Sequence, residues 1–571
     1  MNKDTICDSS EVRNAISILD MSGEEALDFL MKHDSYSTSE LPEYFDFGGV
    51  LDYARKTICN RTLAECLADG EDPEKYSGVN LAINTNKDGK YGVRPLTLSN
   101  PFLYYMLARD LCSAESWTKL QECFKLYQCP KLSACSLPLI KTLGRPESFH
   151  NATTILNWWK SMEQKSIELS LDYSYMFVTD ITNCFGEILP ESIAWALSMK
   201  DTPHETDTNN ALAANIQRYL RAMQHGRNRG IPQGSKLFSL IAEIVLGYAD
   251  MLFTQKVNEA CKKGELPADI DYQVIRYVDD YRIFCNDRDY LDKLSYILQE
   301  VLEHLNFRMN TSKTKVTSDL IADSIKPDKA FYILNTPIVR KMVLPDAEGE
   351  MHYKQVYDFN GFQKHLLYIY EFSRKYPNAG QLRTLLSAFS RRLDELFKTV
   401  RYKVIENYFH HLNDENPPEP KLVYDHLEEN ITAMVAIAVQ IAADNVSAAH
   451  YALRVASQML DDMHESLSEK KTAIIKSIYK KLRSMPNSSI LQIWLQNITH
   501  STDDWSKGEP YDMPLCRLVA GRPVEIWNNA WLKDEIAADL PMDTIVKRDT
   551  LARTEQVITF KERRQYDEYE S

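Results

Sequence analysis

Two short acidic segments hold the residues best suited to chemistry. In Tyr175-Met-Phe-Val-Thr-Asp180-Ile181 an aromatic and β-branched run ends in a carboxylate, which predicts a strand with Asp180 at its end. In Gln273-Val-Ile-Arg-Tyr277-Val278-Asp279-Asp280-Tyr281-Arg-Ile-Phe284 two strand-prone runs meet at adjacent aspartates, the pattern of a tight hairpin that exposes both carboxylates. Crowding like charges is costly unless a cation neutralises them, and Mg2+ favours carboxylate and phosphate oxygens in octahedral geometry. Two divalent ions roughly 3.5 to 4 Å apart are the recurrent arrangement for in-line nucleotidyl transfer, one at the attacking 3′-hydroxyl and one at the leaving pyrophosphate. Taken singly, a lone aspartate after a strand is an ordinary turn or cap residue.

Between these segments lies Arg229-Gly230-Ile-Pro-Gln233-Gly234-Ser235, followed by Leu237, Leu240, Ile241, Ile244, Val245 and Tyr248 at helical spacing. A Gly-rich loop thus feeds a helix, lets backbone approach a nucleotide or base pair closely, and places Ser235 to cap the helix N-terminus.

The elements that must position these residues follow from the flanking pattern. From Tyr175 to about Leu334 the order strand, helix, strand hairpin, helix, strand predicts an α+β core rather than a regular βαβ repeat. Upstream, Asp88-Gly89 between Leu81-Ala-Ile83 and Tyr91-Gly-Val93 predicts a β-hairpin, and Trp158-Trp159 is assigned to packing. After about Lys354 apolar residues recur at helical spacing, as in Phe362, Leu366 and Ile369. The Pro-rich stretch from Asn413 to Pro420 divides that region, and Ala-rich helices follow, which suggests stacked helical hairpins.

With 571 residues the chain exceeds what one core organises, so two or more domains are expected. Its 44% hydrophobic and 26% charged residues match an ordinary globular protein. A net charge of −15 argues against a surface coated in basic residues, so any nucleic-acid channel must be local. Eleven cysteines without a CxxC pair point to a reduced cytoplasmic protein lacking a structural zinc site. The polar start, MNKDTICDSSEVRN, does not look like a secretory signal. The apolar stretch from Ile431 to Ala443 falls short of the roughly 20 residues needed to span a bilayer, so no membrane partner is expected.

In this order VTDITNCF, GIPQGS and YVDD resemble the motifs of reverse transcriptases: an Asp strand, a PQG loop with its helix, and a (Y/F)xDD hairpin. The resemblance implies that Asp180, Asp279 and Asp280, together with Ile181, hold two Mg2+ ions, with Mn2+ as the alternative metal. It implies deoxynucleoside triphosphates as substrate, DNA as product, and nucleotide contacts from Arg94, Ile181, Phe185, Gln233 and Gly234. Phe185 stands where the family places an aromatic gate beneath the incoming sugar, so its ring would exclude a 2′-hydroxyl. The segment from Leu305 to Thr314 is similar to one that lies near the triphosphate, making Lys313 a proton donor to pyrophosphate. Arg94-Pro-Leu96, after Lys87 and Lys90, resembles the basic fingers element. The implied architecture is an N-terminal and fingers region over 1–174, an α+β palm over 175–340, and an all-α, HEAT-like helical domain over 341–571.

Neither an RNase H domain nor a maturation or endonuclease module is evident. Instead Leu41-Pro-Glu-Tyr44-Phe45, the RPLTLSNP run from Arg94 to Pro101, and the long helical C-terminal half look like bacterial abortive-infection and related defence-associated reverse transcriptases, the AbiK/AbiA-like and "unknown group" enzymes. That resemblance implies an antiphage role, homo-oligomers, and protein-primed, template-independent synthesis that leaves DNA covalently attached to protein. Among 31 tyrosines, Tyr44 is the leading priming hydroxyl, with Tyr566 and Tyr569 near the polar C-terminus as rivals. Two other readings stay open: an RNA-templated reverse transcriptase with a bound noncoding RNA, and a scaffold or toxin that binds nucleic acid without catalysis. The three-aspartate set argues against the last, because a dead site has no need of convergent carboxylates.

Overall fold

The computed structural model describes residues 15–39, 41–86, 92–137, 139–141, 162–163, 165–170, 172–198, 211–324, 341–345, 351–355, 359–398, 426–463, 467–483, 485–499 and 511–553. Strands β1 (Leu81–Asn86) and β2 (Val93–Leu98) form the expected antiparallel hairpin, in register from Leu81 opposite Leu98 to Asn86 opposite Val93. Its Asp88-Gly89 turn lies outside the described residues, as do Lys87, Lys90, Trp158 and Trp159. Helix α1 (Pro101–Cys112) follows at once. The Asn100 side chain accepts from the Phe102 and Leu103 amides, and Pro101 sits where a missing N–H costs nothing.

The α+β core is built by β3 (Leu132–Ala134), β4 (Tyr175–Asp180), a short helix α2 (Cys184–Glu187), α3 (Lys236–Lys262), β5 (Tyr272–Tyr277), β6 (Asp280–Cys285), α4 (Arg288–His304) and β7 (Lys315–Thr317). The five strands lie in the order β3-β5-β6-β4-β7. Only β3 and β5 run parallel; the other pairs are antiparallel. Alternation along each strand feeds two separate cores. Phe177, Val274 and Ile283 join the main core, on the side of the sheet that α4 covers, whereas Met176, Ile275 and Phe284 pack with Met162, Leu169 and Leu320. A one-residue slip of β4 or β6 would exchange these faces, so register is tightly set and with it the position of every carboxylate at the strand ends. Helix α3 is long and apolar enough to cross a bilayer, longer than the Ile431–Ala443 stretch, but most of it is buried inside the protein as in a core helix.

Past the sheet the structure departs from the expected all-helical region at its start. Strands β8 (Lys341–Pro345) and β9 (Met351–Gln355) pair antiparallel, and the helices begin only at Phe359. The cause is local, since Met342-Val-Leu344 and His352-Tyr353 are short apolar and aromatic runs better suited to strands than to a helical stripe. Helices α5 (Phe359–Lys375), α6 (Gly380–Lys398), α7 (His426–Asp444) and α8 (Ala449–Asp461) then form two hairpins, with α5 against α7 and α6 against α8. Helices α9 (Ser468–Leu482) and α10 (Ser489–Thr499) extend the stack. With α9 against α10, α7 against α9 and α8 against α10, a third hairpin joins the stack, so this part of the chain is helical as expected, while a HEAT-like repeat is implied by the resemblance alone.

The division at residue 341 does not capture how the chain ends. Helix α10 packs on β1, and residues 511–553 return to the N-terminal region. Leu532 bridges Leu67, Val546 bridges Phe45, the Trp531 carbonyl accepts from the Ala68 amide at 3.0 Å, and Trp527 Nε1 donates to the Leu98 carbonyl at 3.2 Å. Trp527 and Trp531 are buried. Trp531→Ala is expected to destabilise the protein by about 3 to 5 kcal/mol, read as a lower denaturant midpoint in chemical unfolding. An unchanged midpoint would mean that this segment contributes nothing to the fold.

Candidate active site

Asp180 ends β4 and Asp280 begins β6, and the two are direct partners across the antiparallel pair. Opposite residues of such a pair project to the same face, so both carboxylates leave the sheet together. Tyr277 pairs with Asp280, leaving Val278 and Asp279 as a two-residue turn. Val278 has φ +51°, a left-handed conformation that a β-branched residue rarely holds. Asp279 accepts the Ile181 amide on its main-chain oxygen at 3.0 Å, stitching the turn to the strand that carries Asp180. The strand ending at Asp180 and the hairpin turning at Asp279 are the elements the sequence pattern predicts; their pairing across the sheet was not read from it.

Asp180 is buried, and its two oxygens differ. Oδ2 accepts from Lys313 Nζ at 2.6 Å, while Oδ1 is buried without a hydrogen-bond partner among the described residues. Lys313 arrives from a loop fixed by the Asn310 amide donating to the Asp180 carbonyl at 2.8 Å and the Thr182 amide donating to the Arg308 carbonyl at 2.8 Å. The structure therefore places Lys313 on the carboxylate itself. An orphaned carboxylate oxygen beside a facing carboxylate fits a hard divalent cation, and every donor here is oxygen. Among the described residues no group of three or more His, Cys, Asp or Glu side chains could hold a metal. Mg2+ is commonly bound by one or two carboxylates plus substrate phosphates rather than by an all-protein cage, which is the kind of site these aspartates offer.

The Gly-rich loop is held from both sides. The Gly230 amide donates to the Ile188 carbonyl and the Ile231 amide to the Phe185 carbonyl, both at 2.8 Å. Gly230 has φ +81°, and a Cβ there would stand 3.0 Å from the Gly186 carbonyl oxygen, so glycine is required twice over. On the other side the Gln233 carbonyl accepts from the Thr97 amide of β2 at 2.6 Å and the Gly234 carbonyl from Thr38 at 2.8 Å. Ser235 caps α3 as expected, accepting the Phe238 amide at 3.3 Å. Phe185, on α2, and Gln233, within the loop, are both half-buried. Arg94 is exposed on β2, opposite Thr85.

Tyr44 is not placed for chemistry. It is buried, its hydroxyl donates to Asn497 Oδ1 at 2.6 Å, and burial holds its phenol well above the usual range. A motif likeness around Leu41-Pro-Glu-Tyr44-Phe45 carries no information about burial, which is why the sequence favoured it. Tyr566 and Tyr569 lie outside the described residues.

Sequence reasoning missed the charged cluster beneath the hairpin. Arg276 of β5 pairs with Glu243 and Asp250 of α3, all three nearly inaccessible. Burial pushes the Asp250 carboxyl up to about 6 against the pull of Arg276. The available signal was a pair of acids seven residues apart within the apolar 237–253 stretch of that helix.

Residues 131–356 match the family model for reverse transcriptase (RNA-dependent DNA polymerase), a span that holds Asp180, the Gly-rich loop, Asp279 and Asp280. A reverse transcriptase domain is present, and the chain is a nucleotidyltransferase of the RNA-directed DNA polymerase type. Enzymes with such domains generally use divalent metal ions, typically Mg2+. No curated protein matches the chain. Among solved structures, telomerase from Candida albicans in complex with a telomeric RNA fragment is 13% identical with a TM-score of 0.26, covering 74% of this chain and 67% of that one. Telomerase from Candida tropicalis, in complex with the corresponding RNA fragment and in apo form, is likewise 13% identical with TM-scores of 0.25, covering 74% and 76% of this chain and 66% and 72% of those chains. Likeness at that level carries no argument about activity.

Proposed function

We propose that the chain is a DNA polymerase of antiphage defence that joins deoxynucleotides by two-metal nucleotidyl transfer. The observation that supports catalysis is Asp180 facing Asp280 across one strand pair, with Asp279 on the connecting turn and an orphaned oxygen on Asp180. Asp180, Asp279 and Asp280, with Ile181 beside them, would hold two Mg2+ ions or Mn2+ in their place. When bound, these ions supply activation of the attacking hydroxyl and stabilisation of the pyrophosphate. The protein's own groups do the rest. The loop through Gln233 and Gly234 brings backbone against the nascent base pair, Phe185 limits the sugar, and exposed Arg94 meets the triphosphate. Lys313, in contact with Asp180, would offset the carboxylate charge and protonate departing pyrophosphate.

The defence role rests on the likeness of the LPEYF and RPLTLSNP segments and of the helical C-terminal half to abortive-infection enzymes. Homo-oligomers and DNA attached covalently to a tyrosine belong to the same proposal. Because Tyr44 is locked against Asn497, Tyr566 and Tyr569 are the hydroxyls to test first. Purified protein incubated with Mg2+ and labelled deoxynucleotides, with and without RNA, is expected to form product without template, with label that stays on protein through denaturation. Tyr566→Phe with Tyr569→Phe should abolish that attachment and Tyr44→Phe should not. Product that requires RNA would establish the RNA-templated reading, label that separates from protein would end protein priming, and a folded protein that incorporates nothing would leave only nucleic-acid binding.

A further inference from the structure

We propose that Glu243, Arg276 and Asp250 form a clamp that positions the Val278–Asp279 turn, so that α3 ties the nucleotide loop at its own N-terminus to the catalytic carboxylates. The inference rests on the polymerase reading of the site. Arg276 Nη1 and Nη2 donate to the two oxygens of Glu243 at 3.1 and 3.0 Å, and Nε donates to Asp250 at 2.8 and 3.1 Å. Ser136 Oγ donates to Glu243 at 2.6 Å and Tyr281 donates to Asp250 at 3.1 Å. Two acids on one helix, two turns apart, therefore hold opposite edges of a single guanidinium.

What the guanidinium does with that rigidity is specific. Its Nη1 also donates to the Val278 carbonyl at 3.2 Å. Val278 is the left-handed residue of the turn, and a β-branched residue stays in that conformation only where its surroundings impose it. A buried ion cluster is not by itself an efficient stabiliser, because well-packed apolar side chains often serve as well or better. A directed N–H aimed at one main-chain oxygen is what apolar packing cannot supply. The same helix begins at Ser235, immediately after the two carbonyls tied to Thr97 and Thr38. One rigid element thus sets both the loop that meets the nucleotide and the turn that presents Asp279 and Asp280.

The test separates positioning from packing. In a triple variant, Arg276→Met with Glu243→Leu and Asp250→Leu, no charge is left buried unpaired, and the unfolding midpoint is expected to stay near that of the wild type. Its kcat for deoxynucleotide incorporation should fall roughly 100-fold, the loss typical of a small misplacement of reacting groups, while KM changes by less than about threefold. Mn2+ affinity, followed by paramagnetic relaxation of water protons without substrate, should weaken about tenfold or more. Wild-type kcat and Mn2+ affinity in a folded triple variant would overturn the clamp and leave the cluster as packing. If the triple variant does not fold, Arg276→Lys decides. Its ammonium keeps the charge but has no fork to span both acids and Val278, so the same losses support the clamp and wild-type values refute it. A wild-type protein that incorporates no nucleotide would end the polymerase reading, and the Mn2+ comparison alone would then decide the clamp.

Discussion

Asp279→Asn and Asp280→Asn are each expected to lower deoxynucleotide incorporation by about a thousandfold or more, because losing a metal ligand removes several kcal/mol of transition-state stabilisation and each 1.36 kcal/mol is a factor of ten. The substitution keeps shape and removes charge, and both positions are only half-buried at the end of a hairpin, so the fold has little reason to change. Stability supplies the sharper control. Asp280 faces Asp180 directly, and like charges opposite each other in a sheet destabilise it by roughly 0.2 to 1 kcal/mol. Asp280→Asn should therefore unfold at the same denaturant concentration as the wild type or slightly higher. Loss of activity together with a preserved or raised midpoint assigns the carboxylates to catalysis. Retained incorporation in the folded Asp279→Asn, Asp280→Asn double variant would remove them from the metal site.

The parts of the site legible in the sequence were those whose signal is local. Two strand-prone runs meeting at adjacent aspartates predict a hairpin, and a loop with glycine at Gly230 and Gly234 ahead of an apolar stretch announces both the turn and the capped N-terminus. Where the partner lies far along the chain the sequence was silent. Glu243 and Asp250 stand out as acids within the apolar stretch from Leu237 to Phe253, but nothing local says that Arg276 will meet both of them. Trp527 and Trp531 sit beside Leu98 and Ala68, more than 400 residues away, contacts that no local pattern announces, so a boundary at residue 341 does not capture the chain's end. Tyr44 fails for the same reason, since its partner, Asn497, lies at the other end of the protein. The contact of Lys313 with Asp180 depends on the bridge between Ile181 and Met309, a tertiary pairing that no local pattern announces.

Phe185→Val and Phe185→Ala are expected to admit ribonucleotides, raising the ratio of ribo- to deoxynucleotide kcat/KM by about 10 to 200-fold, the range that one small group in a tight pocket can command. The expectation follows from which part of the residue is fixed and which is not. Its main chain is held, because the Phe185 carbonyl accepts the Ile231 amide and the neighbouring Gly186 lies against Gly230. Truncating the ring therefore leaves the Gly-rich loop where it was and removes only bulk five residues beyond Asp180. Its side chain is half-buried, packed in part against the main core, so truncation also carries a stability cost, below the roughly 3 to 5 kcal/mol of a fully buried phenylalanine. The two roles separate in the measurement. Packing loss lowers the unfolding midpoint and depresses all four deoxynucleotides and all four ribonucleotides alike, whereas loss of a steric gate moves the ratio between matched sugars with the base held constant. Valine, which keeps the β-branch and loses the ring, should widen the ratio less than alanine if the exclusion is steric. An active variant in which alanine and valine both leave the ratio unchanged would assign Phe185 to packing, and sugar discrimination would then have to come from another side chain.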